Sequence, residues 1–473
     1  MTVPGPQVLP TGALEALTEL VGRFAKEHHC PSINWGLVTD GRLDTTGAAW
    51  DDEHMAAPTV DTVYRIASMT KSFTCAAILS LRDEGVLTLD DPITRHAPEL
   101  AVVRPPTSDA GPIRIRHLMR MSAGLATDDA WADRHLDIGD DELDAALAAG
   151  ALFAGTTGSV FEYSNLGFGL LGRVVKRATG RSVQDLITER LIGPLGLTRT
   201  AWVQPGHDDW ARPFRVVDDA IAPEGTPLLG DGGIAPMGGI WTTVTDLARW
   251  VDWLDGAYPA RDGADDGPLC RASRREMQEP QNTMGTVDLP GRVGVNSYGY
   301  GLRIRDDERM GRVVMHSGGL PGYGSNMRWA SRRRFAMIAL ANVTYAPMAQ
   351  LTHEAFELLH EHGAFPAVAD VDGQLVVEMG RRLFELWQHW DDDVATELFA
   401  DNVAPDESFE RRRAEVARWR DECDGELVLD RIEPESATSG KLLLARPTGD
   451  PITIVFELSP LVPPCIQLVA RDD

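Results

Sequence analysis

Lysine is nearly missing from this chain. Of 473 residues only Lys26, Lys71, Lys176 and Lys441 are lysine, although Lys and Arg together number 45. A codon habit that writes arginine for most cations names no partner, but it makes each surviving lysine worth explaining. Cysteine is also sparse. Cys30, Cys75, Cys270, Cys423 and Cys465 are odd in number and scattered, with no C-x-x-C, which argues against a zinc site or a disulfide framework. No run of 18 apolar residues suggests a membrane span. Acidic residues outnumber basic ones, 71 to 45, for a net charge of -26. That balance argues against general affinity for nucleic acid or anionic membrane, both of which need a basic footprint. The opening "MTVPGPQVLPTGALEALTELVGRF" has neither a basic n-region nor an apolar h-region, so a reducing cytoplasm is the expected location.

What is present suits a large folded protein. Hydrophobic residues make up 43% and charged residues 25%, enough for a substantial core and a second domain. Leu14, Leu17, Val21 and Phe24 share one face of a helix over 13–27. "INWGLVTDGRLDTTGAAW" reads as two strands around an Asp40-Gly41 hairpin turn. In "SMTKSFTCAAILSLRDEG" a helical stripe runs through Phe73, Ala77 and Leu81 and stops at Gly85. Thr243 and Asp246 are spaced as a capping pair for a helix. "SYGYGLRIRD", "GRVVMHSGG", "GSNMRWA" and "RRFAMIALANV" read as strands of one antiparallel sheet, and "THEAFELLHEHG" as a closing helix. Residues 363–374 read as a linker. They separate a domain at 1–362 from a helix-then-strand domain at 375–473, in which "GELVLDRI", "KLLLARP", "PITIVFEL" and "CIQLVARD" are strand-like.

The lysine at position 71 stands three residues after Ser68, in "RIASMTKSF". If a helix begins near Ala67, the two side chains share one face, one turn apart. A serine hydroxyl is a weak nucleophile until a base takes its proton. Lysine can be that base when burial or a nearby cation keeps it neutral, and arginine cannot. The surroundings are small or apolar, which is unusual for a solvated lysine. Two further clusters stand apart from it. "FEYSNLGFGLLGRVV" places Tyr163 and Asn165 on a loop before an apolar helix. "VVMHSGGLPGYGS" places His316, Ser317, Gly318 and Gly319 at a strand end, where small residues admit a substrate backbone.

Ser68-Met-Thr-Lys71, Tyr163-Ser-Asn165 and His316-Ser-Gly318 resemble, in order and separation, the three motifs of the serine β-lactamase and penicillin-binding-protein superfamily. "IRIRHLMRMSAGL", "ERLIGPLGLTRT" and "GGIWTTVTDLARW" resemble connecting segments of its class C-like branch. The resemblance spans about residues 10–360. It implies an α/β (α+β) fold of β-lactamase/transpeptidase type: a central antiparallel sheet flanked by helices, with an all-helical lobe. The small C-terminal domain would be α+β, lipocalin-like, and a lid or binding module. It implies that Ser68 is an acylated nucleophile, that Lys71 and Tyr163 share acid–base work, and that Asn165 binds the substrate amide and Lys71. The backbone N–H groups of Ser68 and Gly319 would form the oxyanion hole. His316 stands where many relatives carry lysine. It turns the expectation from β-lactams toward peptide, ester or thioester acyl donors, because a histidine is a donor whose charge varies with pH.

No metal or cofactor is expected. The partners expected are a small-molecule or peptide acyl substrate, including a carrier-protein-bound peptidyl thioester, with no nucleic acid and no membrane. The chain resembles the penicillin-binding-protein-type thioesterases that release and macrocyclise nonribosomal peptides. It also resembles D-aminopeptidases, amidases and esterases. A non-catalytic scaffold would have lost Ser68, Lys71 or Tyr163, and all are present. "GDGGIAP" resembles a dinucleotide glycine pattern but lacks a preceding strand, so a cleft-lining loop is expected there. His353, His360 and His362 are expected on a helix surface.

Overall fold

The protein, described here from a computed structural model, is defined over residues 9–472 except 106, 207–208, 226–227, 266 and 367–372. It divides into two compact units, Met1–Pro366 and Ala367–Asp473. Half of the expected linker, residues 367–372, lies outside the described residues.

An eight-stranded antiparallel sheet carries the first unit. Its strands are β1 (Ser32–Thr39), β2 (Arg42–Trp50), β3 (Asn282–Leu289), β4 (Arg292–Tyr298), β5 (Arg303–Asp307), β6 (Gly311–Leu320), β7 (Tyr323–Ala330) and β8 (Phe335–Ala341), in the spatial order β2-β1-β8-β7-β6-β5-β4-β3. Chain-adjacent strands pair as hairpins, and the β1–β8 ladder joins the N-terminal pair to the other six. Strands β1, β7 and β8 are buried along their whole length, as strands covered on both faces must be.

Helices α1 (Ala13–Glu27) and α5 (Met348–Glu361) pack on one face of the sheet. On α1, Leu17, Leu20, Val21 and Phe24 face inward, whereas Leu14 is exposed, so the apolar stripe is rotated one position from the sequence reading. The other face meets α2 (Thr70–Asp83), α3 (Asn165–Thr179) and α4 (Val244–Asp255). Helix α2 is buried from Thr70 to Leu81, not along a single stripe. Its run of small and apolar residues is what allows neighbours on every side. Phe73 stacks on Trp250 of α4 at 3.8 Å between centroids. Thr243 caps α4 by accepting from the Asp246 N–H at 3.1 Å. The reciprocal half of that expected pair is absent, because the Asp246 carboxylate accepts instead from the Arg199 N–H and the Thr200 hydroxyl.

The second unit has its own core. Helices α6 (Gln374–Gln388) and α7 (Phe409–Glu422) accompany a four-stranded antiparallel sheet, β9 (Val428–Pro434), β10 (Ser439–Ala445), β11 (Ile452–Leu458) and β12 (Ile466–Arg471), paired in chain order. This sheet is an open meander, with β9 and β12 as its edges, and not a closed barrel.

Candidate active site

Ser68 lies in a 3₁₀ turn, Ala67–Met69, that feeds directly into α2. Residue 67 has φ of +48°, a conformation that costs a side-chain-bearing residue about 1–3 kcal/mol and persists only where its surroundings fix it. Here they do. The Ile66 N–H donates to the Ile240 carbonyl at 3.0 Å, and the Ile66 carbonyl accepts from the Ser325 hydroxyl at 2.9 Å. Gly318 of β6 completes the clamp, since a Cβ there would stand 2.1 Å from the Ile66 oxygen. The glycine of the third motif therefore lets β6 approach the turn that holds the serine.

Lys71 is fully buried one turn further on, its Nζ 2.9 Å from Ser68 Oγ. It also donates to Asn165 Oδ1 at 2.6 Å and to the Met237 carbonyl at 3.0 Å. A neutral amine has two N–H bonds and one lone pair. The two carbonyl oxygens take the two N–H bonds, and the lone pair is left facing the Ser68 hydroxyl. Desolvation lowers the Lys71 pKa to about 7; the charges of Asp129, Asp133 and Asp128 oppose the fall, and Arg303 adds to it. Geometry and electrostatics agree on an amine able to accept a proton near neutrality.

Asn165 is the first residue of α3, whose N-cap is Ser164. Asp128 accepts from the backbone N–H groups of Asn165 and Leu166, each at 2.7 Å, as an anion at a helix N-terminus should. Asp129 accepts from Asn165 Nδ2 at 2.7 Å. A carboxylate can only accept, so this contact turns the amide oxygen toward Lys71. Tyr163 faces the same space, with Lys71 Nζ 4.9 Å from its ring centre. Burial raises its phenol pKa well above the usual value, and the hydrogen bond with Ser68 and the charge of Arg303 pull it back in part. The phenol is neutral before substrate arrives.

His316 departs from the sequence reading. It is 1% exposed, and burial, then Lys71, then Arg303, press its pKa well below the usual imidazole range. Nδ1 lies 2.7 Å from the Ser317 carbonyl, which can only accept, so the proton is on Nδ1. Nε2 then accepts from the Tyr298 hydroxyl at 3.0 Å. Both nitrogens are engaged inside the protein and the ring stays neutral. It lines the cleft but does not carry the pH-variable charge expected of it. Ser317, Gly318 and Gly319 line the cleft with His316, Ser68 and Tyr163, and Ser317 Oγ accepts from Asn326 at 2.9 Å. Strand β5 pairs with β6 only up to Met315, which leaves the edge from His316 to Leu320 open toward the cleft for an extended chain.

Arg303, missed in the sequence, supplies the fixed charge that His316 lacks. It begins β5, lines the cleft and lies 5.6 Å from the Tyr163 ring centre. The cleft measures about 1000 Å³. Also unforeseen were Asp128, Asp129, Tyr298 and the Met237 carbonyl. Met237 follows the "GDGGIAP" segment, whose Gly232 and Gly233 line a separate groove beside α3 and not the Ser68 cleft. Their residue types alone carried no signal, although Arg303 and Arg305, two apart in a strand, share a face. His353 also lines the cleft, so it is more than a surface histidine, while His360 accepts from Arg309 at 3.2 Å. Among the described residues no cluster of three or more His, Cys, Asp or Glu could hold a metal, and no helix is long and apolar enough to cross a membrane.

Comparison with known proteins adds five findings. The Beta-lactamase family model matches residues 17–360. Protein flp of Staphylococcus aureus (strain N315) is 24% identical, covering 77% of this chain and 70% of its own. The D-alanyl-D-alanine-carboxypeptidase/endopeptidase AmpH of Escherichia coli (strain K12) is 27% identical over 62% of this chain and 73% of its own. Among solved structures, a D-stereospecific amidohydrolase from Streptomyces sp. is 25% identical with a TM-score of 0.57, covering 72% of this chain and 97% of its own. The octameric penicillin-binding protein homologue from Pyrococcus abyssi is 20% identical with a TM-score of 0.62, covering 94% and 96%, which shows the shared fold.

Proposed function

This chain belongs to the beta-lactamase family of serine hydrolases and is an enzyme, and from that premise we propose that it hydrolyses peptide or amide bonds next to a D-configured residue through an acyl-enzyme on Ser68. The observation that carries the reading is the buried Lys71 amine, whose Nζ stands 2.9 Å from Ser68 Oγ and is held there by the Asn165 and Met237 carbonyl oxygens.

Lys71 takes the hydroxyl proton as Ser68 Oγ attacks the acyl carbon. The backbone N–H groups of Ser68 and Gly319 hold the oxyanion, each donor worth ~10²–10³ in rate. Tyr163, with Lys71, passes the proton to the leaving amine, whose free carboxylate would face Arg303. Water then attacks the acyl carbon with the same groups in reverse order. Asn165 holds Lys71 and the substrate amide in register. The named relatives support the D-residue preference, since two of them act on D-stereochemistry.

An amine in place of water would make the same intermediate a transferase. Release and macrocyclisation of nonribosomal peptides from a thioester remains the second reading. A cleft of about 1000 Å³, at the upper end for small-molecule sites, favours it by leaving room for a folded peptide. Intact-mass analysis after a fluorophosphonate or a peptidyl thioester should show a covalent adduct that Ser68→Ala abolishes. Persistence of the adduct in that variant would sink the reading. A peptidyl thioester with a D C-terminal residue and a free N-terminus separates the two fates. Linear acid alone supports hydrolysis, and cyclic product supports transfer.

A further inference from the structure

We propose that the arm of the cleft bounded by β5, β7 and the first turn of α5 is a recognition subsite for a carboxylate of the substrate remote from the scissile bond, held by Arg305 and Arg328 with His353 beside them. The proposal rests on the acyl-enzyme reading for its substrate but not for its geometry.

Arg328 of β7 lies opposite Met315 of β6, which lies opposite Arg303 of β5, so these side chains form a row across three strands. Arg305 is two residues along β5 on the same face. Arg305, Arg328 and His353 all line the cleft, as do Met348, Ala349 and Gln350 of the first turn of α5. Arg305 donates Nε to Asn296 Oδ1 at 3.1 Å. Arg328 donates Nε to the Thr352 hydroxyl at 3.2 Å and Nη2 to the Ala349 carbonyl at 3.3 Å. Among the described residues neither guanidinium has a carboxylate within 4.0 Å, and Arg328 is only 3% exposed. The nearby acids, Asp307 and Glu357, are committed elsewhere: Asp307 to Arg292 at 3.1 Å, and Glu357 to Arg292 at 2.5 Å and Arg309 at 2.8 Å, with Glu357 also 3.9 Å from His353 Nδ1.

A buried cation without a counter-ion is costly, and proteins seldom keep one without a use. Burial, with the charge of Arg305 beside it, accordingly depresses the Arg328 pKa to about 9, and the charge of Glu357 offsets part of the fall. The contrast with the rest of the chain is sharp. With 71 acidic residues to 45 basic ones, carboxylates are the commoner partner, yet among the described residues none lines this arm. The acids that line the cleft, Asp129 and Asp133, belong to the Ser68 end. A planar carboxylate fits a guanidinium fork in bidentate fashion, and the N-terminal dipole of a 14-residue helix adds to the attraction.

The carboxylate has two sources, an acidic side chain or a free C-terminus. Four peptides test both. They share one scissile D-residue bond, place Glu or Gln at the remote position, and end in an acid or an amide. The wild type should favour one carboxylate-bearing form by about tenfold or more in kcat/KM, and the favoured form names the source. Arg305→Gln should erase that preference while leaving turnover of the uncharged peptide intact, Arg305→Lys should restore part of it, and added salt should shrink it. Equal turnover of all four peptides by the wild type, or an equal loss on all four in Arg305→Gln, would overturn the subsite. Calorimetry of the same peptides on Ser68→Ala reads the subsite without chemistry. If no peptide is cleaved but the acidic one still binds more tightly, and Arg305→Gln removes the difference, the reaction assignment fails while the subsite stands. Equal binding of acidic and uncharged peptides defeats the subsite alone.

Discussion

The two ends of the cleft handle charge in opposite ways. At the Ser68 end the polar atoms meet their partners within the protein. Lys71 is shared among Ser68, Asn165 and Met237, Asn165 is oriented by Asp129, and His316 is closed between Ser317 and Tyr298. At the far arm Arg305 and Arg328 hydrogen-bond only to neutral acceptors, and among the described residues neither has a carboxylate in ion-pair contact. The first end is a preorganised site that needs no ligand to set its geometry, as a site for chemistry should be. The second is electrostatically incomplete, as a site for recognition should be. Substitutions at the first end should therefore change kcat whatever the substrate, and substitutions at the second should change selectivity.

The largest expected effect is at Lys71. Lys71→Arg keeps a cation of similar length but cannot accept a proton. It should lose ~10²–10⁴ in kcat/KM, as much as Lys71→Ala. Near-full activity of the Arg variant would mean that charge and not basicity is what the site uses, and the contrast between the ends would collapse.

Gly318→Ala comes next. Its Cβ would meet the Ile66 oxygen at 2.1 Å and Ser325 Oγ at 2.4 Å, so β6 or the Ser68 turn must move. Overpacking of this kind costs about 1–3 kcal/mol of stability. A displaced nucleophile should cost ~10² in kcat. Thermal melting and steady-state kinetics read both.

The smallest effect is on pH dependence. With the Lys71 pKa lowered to about 7, the active unprotonated amine grows as pH rises, so kcat/KM should climb through about pH 7 and flatten above it. Asp129, Asp133 and Asp128 hold the pKa up, and Arg303 holds it down. Asp129→Asn keeps an acceptor for Asn165 Nδ2 but removes the foremost of the three negative charges. Its acid limb should therefore move to lower pH with little change in the plateau. An unmoved limb would show that Asp129 acts through geometry alone.

The near end was largely legible before folding. Ser68 and Lys71 carry a helical spacing, and Lys71 stands out because the chain avoids lysine elsewhere. The Tyr163-Ser-Asn165 and His316-Ser-Gly318 motifs made that spacing specific. Six of the eight strands of the large sheet could be read, as could the Asp40-Gly41 hairpin, but β3 and most of β4 were not, and "SYGYGLRIRD", read as one strand, spans the end of β4, a break and the start of β5. What escaped notice came from contacts distant in sequence. Met237 offers a main-chain oxygen, for which any residue would serve. Asp129 reaches Asn165 across 36 positions, and nothing in a pair of aspartates signals that partner. Tyr298 meets His316 across a sheet, and that contact, with burial, removed the pH-variable charge expected of the histidine.

Local covalent facts set by sequence thus determined the chemistry available. A hydroxyl stands one turn from a lysine, a cation that can shed its proton where arginine cannot, and glycines sit where a strand must approach a backbone. Only the tertiary structure decided the protonation and charge of those groups, because pKa depends on desolvation and on charges brought near by folding. It turned Lys71 into a base, closed His316 into a neutral strut, and left Arg303, Arg305 and Arg328 as the cations that face the cleft.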